Sequence, residues 1–167
     1  MKGKDSGITL LVLVITIIVL TIIASIVVFE GKEVIDKSKI QTLETNMLTI
    51  QAKAKAYAEE IDSKVWAKKE NEKDEARTEE FQSKGFYLIS GNPSANNYYS
   101  QINIENECIL YSISSEGLTD MGLEDINTES YIVAYDNSDY KKVDVIFPDG
   151  IRYNKTTFYT LSEIQKN

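Results

Sequence analysis

The sequence contains no histidine and a single cysteine, Cys108, in 167 residues. Without His, the commonest general base and metal ligand is missing, which excludes Ser-His-Asp hydrolysis, Cys-His hydrolysis and His-ligated zinc. One cysteine forms neither an internal disulfide nor a Cys-rich metal site. Cations are also scarce, with 18 Lys+Arg against 26 Asp+Glu and a net charge of -8. The longest basic patches are the pairs Lys68-Lys69 and Lys141-Lys142. A phosphate-backbone binder draws its affinity from clustered Lys and Arg, so nucleic acid is not expected as a direct partner. The carboxylates are scattered, with no pair placed for general acid/base work. No catalytic site is expected, and the chain does not read as an enzyme.

Hydrophobic residues make up 43% of the chain, and their placement is uneven. Residues 8–29 are 22 consecutive positions without a charge, most of them Ile, Leu or Val. As a helix they rise about 33 Å, against a bilayer hydrocarbon core of about 30 Å. β-branched residues weaken a helix in water, but in lipid every backbone amide must be satisfied within the segment. Thr9, Thr16, Thr21 and Ser25 can return their hydroxyls to carbonyls one turn back. The run is expected to be a membrane-spanning helix. A cleaved secretory signal fits less well, because the stretch exceeds an ordinary h-region and bulky Ile22 stands two residues before Ala24. Lys2 and Lys4 on one side are nearly balanced by Lys32, Lys37 and Lys39 on the other, so lysine bias sets no orientation.

The leader Met1-Lys-Gly-Lys-Asp-Ser-Gly7, followed by Ile8, Thr9, Leu10 and Leu11 and then the apolar run, resembles the N-terminus of type IV pilins and type II secretion pseudopilins. The resemblance covers about 30 residues closely and the plan of the chain loosely. It implies that a cytoplasm-facing prepilin peptidase cuts between Gly7 and Ile8, and that Ile8 is then N-methylated. It further implies a cytoplasmic-membrane protein with an exported C-terminal head, a cell-surface filament if assembled, and other pilin subunits and the assembly machinery as partners. Members that polymerise usually carry Glu at the fifth mature position, and here that position is Val12. A buried terminal ammonium without a counter-charge is costly. Val12 therefore favours a minor, tip or pilin-like subunit, as in related Gram-positive proteins, over a major self-stacking one. The rival reading is an unprocessed single-pass membrane protein whose head is an extracytoplasmic binding module.

Past Gly31, where the helix can loosen, Ile40, Leu43, Met47, Ile50, Ala54, Tyr57 and Ile61 recur at alternating spacings of three and four. That is a helical stripe, and an amphipathic stripe usually faces its own core, here the sheet that follows. Residues 67–80 hold ten charges in fourteen positions and read as a solvated helix extension or a connector without an apolar face. From Gly85 the pattern turns to short segments. Residues 86–89, 109–113, 131–135, 143–147 and 151–153 read as strands, with a helical turn around 118–126. Residues 136–139 and 148–150 read as turns, and 158–161 as a closing apolar segment. The expected fold is α+β: a long N-terminal α-helix, membrane half plus amphipathic half, packed on a C-terminal antiparallel β-sheet, which is also the pilin plan. The divisions are a leader at 1–7, a membrane or filament-core helix at 8–29, an amphipathic helix and charged connector at 30–84, and a sheet head at 85–167.

Three further features carry candidate roles. Asp136, Asn137, Ser138 and Asp139 offer oxygen ligands to calcium, which some pseudopilins hold in a C-terminal loop. Their spacing lacks the alternation and terminal Glu of an EF-hand loop, and a hairpin turn explains the same residues. No other cofactor is expected. Among ten tyrosines, the adjacent Tyr98 and Tyr99 in a loop are candidates for surface contact, since Tyr joins apolar area to a polar tip. Cys108, at the edge of a predicted strand, reads as a small buried hydrophobe rather than a reactive thiol.

Overall fold

A computed structural model describes residues 5–89, 108–123 and 131–166, and the side chains of 5–12 and 23–33 lie outside the described set. The chain divides into two compact units, Met1–Lys39 and Ile40–Asn167. One helix, α1 (Asp5–Val65), carries residues of both. In the first unit, residues 13–22 are helical with every side chain exposed, Leu13 at 57% and Leu20 at 64% among them. Thr16 donates its hydroxyl to the Leu13 carbonyl at 2.8 Å and Thr21 to that of Ile17 at 2.7 Å. These are the back-bonds expected of hydroxyls in an apolar helix. Thr9 and Ser25 lie outside the described side chains. So does most of the 8–29 run: the ten described side chains represent about 15 Å of helix, half a hydrocarbon core. Among the described residues, no helix is long and apolar enough to cross a membrane.

The second unit is an α+β head. Five antiparallel strands lie in sequence order: β1 (Phe86–Leu88), β2 (Cys108–Ile113), β3 (Ile132–Asp136), β4 (Val143–Tyr153) and β5 (Thr156–Thr160). Their register places Tyr87 opposite Ser112, Tyr111 opposite Val133, and Val133 opposite Val145. Alternation sends Tyr111, Val133, Tyr135, Val143 and Val145 to one face. There they form one buried cluster with the stripe of α1: Met47, Ile50, Ala54 and Ile61 have no exposed surface, and Ile40 and Leu43 have almost none. Each of the larger side chains, Met, Ile, Leu or Val, contributes about 1.5–3 kcal/mol by leaving water. Two polar bonds fix the helix on the sheet. The Tyr135 hydroxyl donates to the Ala54 carbonyl at 3.1 Å, and Gln51 Nε2 to the Val143 carbonyl at 2.8 Å. The opposite sheet face buries a second, smaller cluster of Leu110, Ile132, Ala134 and Ile146.

Four local expectations are corrected. The charged run is not without an inner face: after a break at residues 66–69 it forms α2 (Glu70–Ser83), which buries Ala76 and Phe81. Residues 148–150 do not reverse the chain. They lie within β4, where the pairing with β5 shifts register between Ile146 and Ile151. Gly150 takes φ +64° there, and a Cβ on it would stand 2.6 Å from Tyr159 Cε1, so glycine serves a bulge rather than a turn. The short helix begins earlier than expected, as α3 (Ser115–Asp120), because the Ser114 hydroxyl caps it by accepting from Gly117 N. The closing segment is split between β5 and a helix, α4 (Leu161–Gln165). A capping box starts α4: Glu163 N donates to Thr160 Oγ1, and the Glu163 carboxylate accepts from Thr160 N.

Candidate functional site

The N-terminal motif residues Gly7, Ile8, Thr9, Leu10, Leu11 and Val12 lie in the first turns of α1, and their side chains fall outside the described residues. What is described directly after them is the exposed stretch 13–22. Leu13, Val14, Ile15, Ile17, Ile18, Val19, Leu20 and Ile22 are exposed together. They span every direction around the helix, since eight apolar positions in ten leave no polar stripe. A helix apolar all round is stable only when something apolar surrounds it, lipid or other helices. This surface is the largest chemical demand that the described chain leaves unmet.

The head holds most of its chemistry inside. Phe81, Phe86, Tyr111, Tyr135 and Tyr140 meet ring to ring, with centroids 4.7 Å apart for Phe81 and Tyr111 and 5.0 Å for Phe81 and Tyr135. Offset and edge arrangements of this kind add to simple burial. Burial pushes the Tyr111 phenol up to about 12 and that of Tyr135 well above the ordinary range, because an apolar surround disfavours phenolate. These hydroxyls are structural: the Tyr135 hydroxyl is spent on α1, and the pair is closed off by α2. Arg77 of α2 lies over the Tyr140 ring at 4.4 Å and binds Asp62 of α1 at 2.7 Å.

The β3–β4 connection is held by hydrogen bonds of its own acidic side chains. Asp136 is fully buried, and its Oδ1 accepts from Ser138 N at 2.8 Å, Ser138 Oγ at 2.7 Å and Asp139 N at 3.2 Å. Asp139 Oδ1 in turn accepts from Lys141 N at 3.1 Å. The carboxylates thus hold the turn's own amides, the ordinary use of Asp in a turn. Asn137 is exposed beside them. Among the described residues, no group of three or more Asp, Glu, Cys or His side chains is arranged to hold a metal ion. Tyr98 and Tyr99 lie outside the described residues. Cys108 opens β2, half-buried opposite Asp136, and burial pushes its thiol up, favouring the protonated form.

Sequence reasoning missed the Arg77–Tyr140 stack and the docking of α2. The only signals were Ala76 and Phe81 five residues apart, too sparse for a periodicity. No family model, no curated protein and no solved structure matches this chain.

Proposed function

We propose that this chain is a pilin-like structural subunit of a type IV pilus or secretion pseudopilus, of a minor, tip or accessory kind. In this reading prepilin peptidase cuts between Gly7 and Ile8, and Ile8 becomes the methylated N-terminus. The subunit waits in the cytoplasmic membrane with its head exported, and its apolar helix enters a filament core with those of other pilin subunits when the assembly machinery extracts it. The observation that carries the proposal is the division of labour along α1. Residues 13–22 expose apolar side chains all round, while the stripe from Ile40 to Val65 is the inner wall of an antiparallel α+β head. A subunit whose helix must be held by lipid and then by neighbours needs both properties. The work is mechanical and binding rather than catalytic.

Val12, where polymerising members carry Glu, supports a second reading: a single-pass membrane protein that keeps its leader and presents its head as a binding module. Processing separates the two. In a membrane carrying an active prepilin peptidase, the wild-type chain should shorten at Gly7 and a Gly7→Ala variant should stay whole. A wild-type chain left whole while the peptidase cuts its own substrate contradicts the pilin reading and leaves the second.

A further inference from the structure

Helix α2 is an unusual piece of the head. Of its fourteen residues only Ala76 and Phe81 are buried, and no side chain caps its N-terminus at Lys69. Its attachment to α1 is ionic. Arg77 meets Asp62 at 2.7 Å, Glu80 meets Lys64 at 2.8 Å, and just past the helix Lys84 meets Glu60 at 3.0 Å. Glu60 also binds Lys64 at 3.1 Å, so the pairs form a chain. The exposed Lys64 pairs are individually weak and screened by salt, whereas the Arg77–Asp62 pair is part-buried and screened less. Arg77 adds a cost: its Nε is buried without a hydrogen-bond partner.

The two ends of α2 differ sharply. Toward the N-terminus, Glu70 pairs only with Lys73 of its own helix, and Asp74 is 97% exposed. The preceding break leaves Trp66 82% exposed. Toward the C-terminus, Phe81 is wholly buried among four rings, and Gly85 then locks the chain in place. Gly85, at φ +80°, packs so close to α3 that a Cβ would stand 2.7 Å from Gly117 Cα, and its carbonyl accepts from Ser114 N.

We propose that α2 is a salt-latched strap: its turns before Phe81 lift off α1 and the Tyr140 ring as a unit while the head stays folded and Phe81 to Gly85 stay pinned. Arg77 is the latch, because it alone joins Asp62 on α1 to Tyr140 on the sheet side. Opening takes the Arg77 guanidinium off the half-buried Tyr140 ring, while Tyr111 stays packed on Phe81. Local opening of this kind is expected where few apolar contacts and many screened charges hold an element.

Hydrogen exchange on the full-length chain in neutral detergent micelles tests this. Amides of residues 73–80 should exchange about ten-fold faster in roughly 1 M than in roughly 0.02 M sodium chloride, while those of β3 and of residues 50–61 change less than about two-fold. Arg77→Met keeps a long unbranched side chain but removes the guanidinium over Tyr140 and its charge. It should speed exchange of the same α2 amides about ten-fold at low salt and reduce the salt response, leaving the part due to Glu80 and Lys64. Exchange of α2 in step with β3, or equal salt sensitivity of both, overturns the proposal. So does a salt response of α2 that survives intact in Arg77→Met.

Discussion

Two stretches of α1 are equally helical, yet they place their apolar side chains in different ways. In residues 13–22 the apolar side chains are continuous around the axis and all are exposed. In the stretch from Ile40 to Val65 they recur every three or four positions and are buried, with Lys53, Lys55, Glu59 and Ser63 on the outer face. Periodicity lets the second stretch close a core within the chain. A stripe can be satisfied by one sheet within the same chain, whereas a cylinder needs surroundings on every side.

Matched truncations of one residue type test that contrast most strongly. Ile50→Ala should cost the head about 2–5 kcal/mol, seen as a lower urea midpoint. Ile18→Ala should leave the same midpoint unchanged within about 0.5 kcal/mol. If both variants destabilise the head alike, the two stretches are not independent. Within the head, Gly85→Ala should follow with a loss of about 2–4 kcal/mol, because φ +80° disfavours a side chain and the new Cβ meets backbone rather than a movable group. An unaltered melting curve would show that α2 and α3 have room between them.

Alkaline titration probes the ring cluster. The Tyr111 phenol titrates near 10 in the unfolded chain and at about 12 in the fold. The native state therefore keeps its proton longer, and the stability this contributes is complete below pH 10 and is lost as pH rises toward 12. The thermal midpoint should fall over that window, less steeply in Tyr111→Phe; identical slopes would remove Tyr111 from the account. Tyr135→Phe gives up the bond to the Ala54 carbonyl and should cost about 1 kcal/mol in a denaturant melt. The smallest effect has the opposite sign. Asn154 and Lys155 turn the β4–β5 hairpin at φ 47° and 69°, so Lys155→Gly should raise stability by about 0.5–1 kcal/mol by relieving a left-handed side chain. No gain in midpoint would mean that the turn already carries no strain.

The legibility of the fold followed the same rule of periodicity. The α1 stripe announced itself by spacing, and the strands at 86–89, 109–113, 131–135 and 143–147 by short apolar segments between turn signals. Elements held by single contacts did not. Phe81 lies one residue beyond the charged run, so nothing in that run's composition hinted at a docked helix. Pro148, Asp149 and Gly150 have the composition of a turn, and only the approach of Tyr159 to Gly150 reveals a bulge. The Thr160–Glu163 spacing of a capping box was present in the sequence but hidden by the apolar run at 158–161. At the candidate site the contrast is similar. Asp136 and Asp139 have the side chains that favour turns and bond to amides within three residues, whereas the Arg77–Tyr140 stack joins residues 63 positions apart and has no local signature.

The most direct measurement is the intact mass and N-terminal sequence of the chain isolated from its native membrane and from the sheared surface fraction. The account predicts a chain beginning at Ile8 and carrying one added methyl group. A chain still beginning at Met1 in both fractions would contradict it.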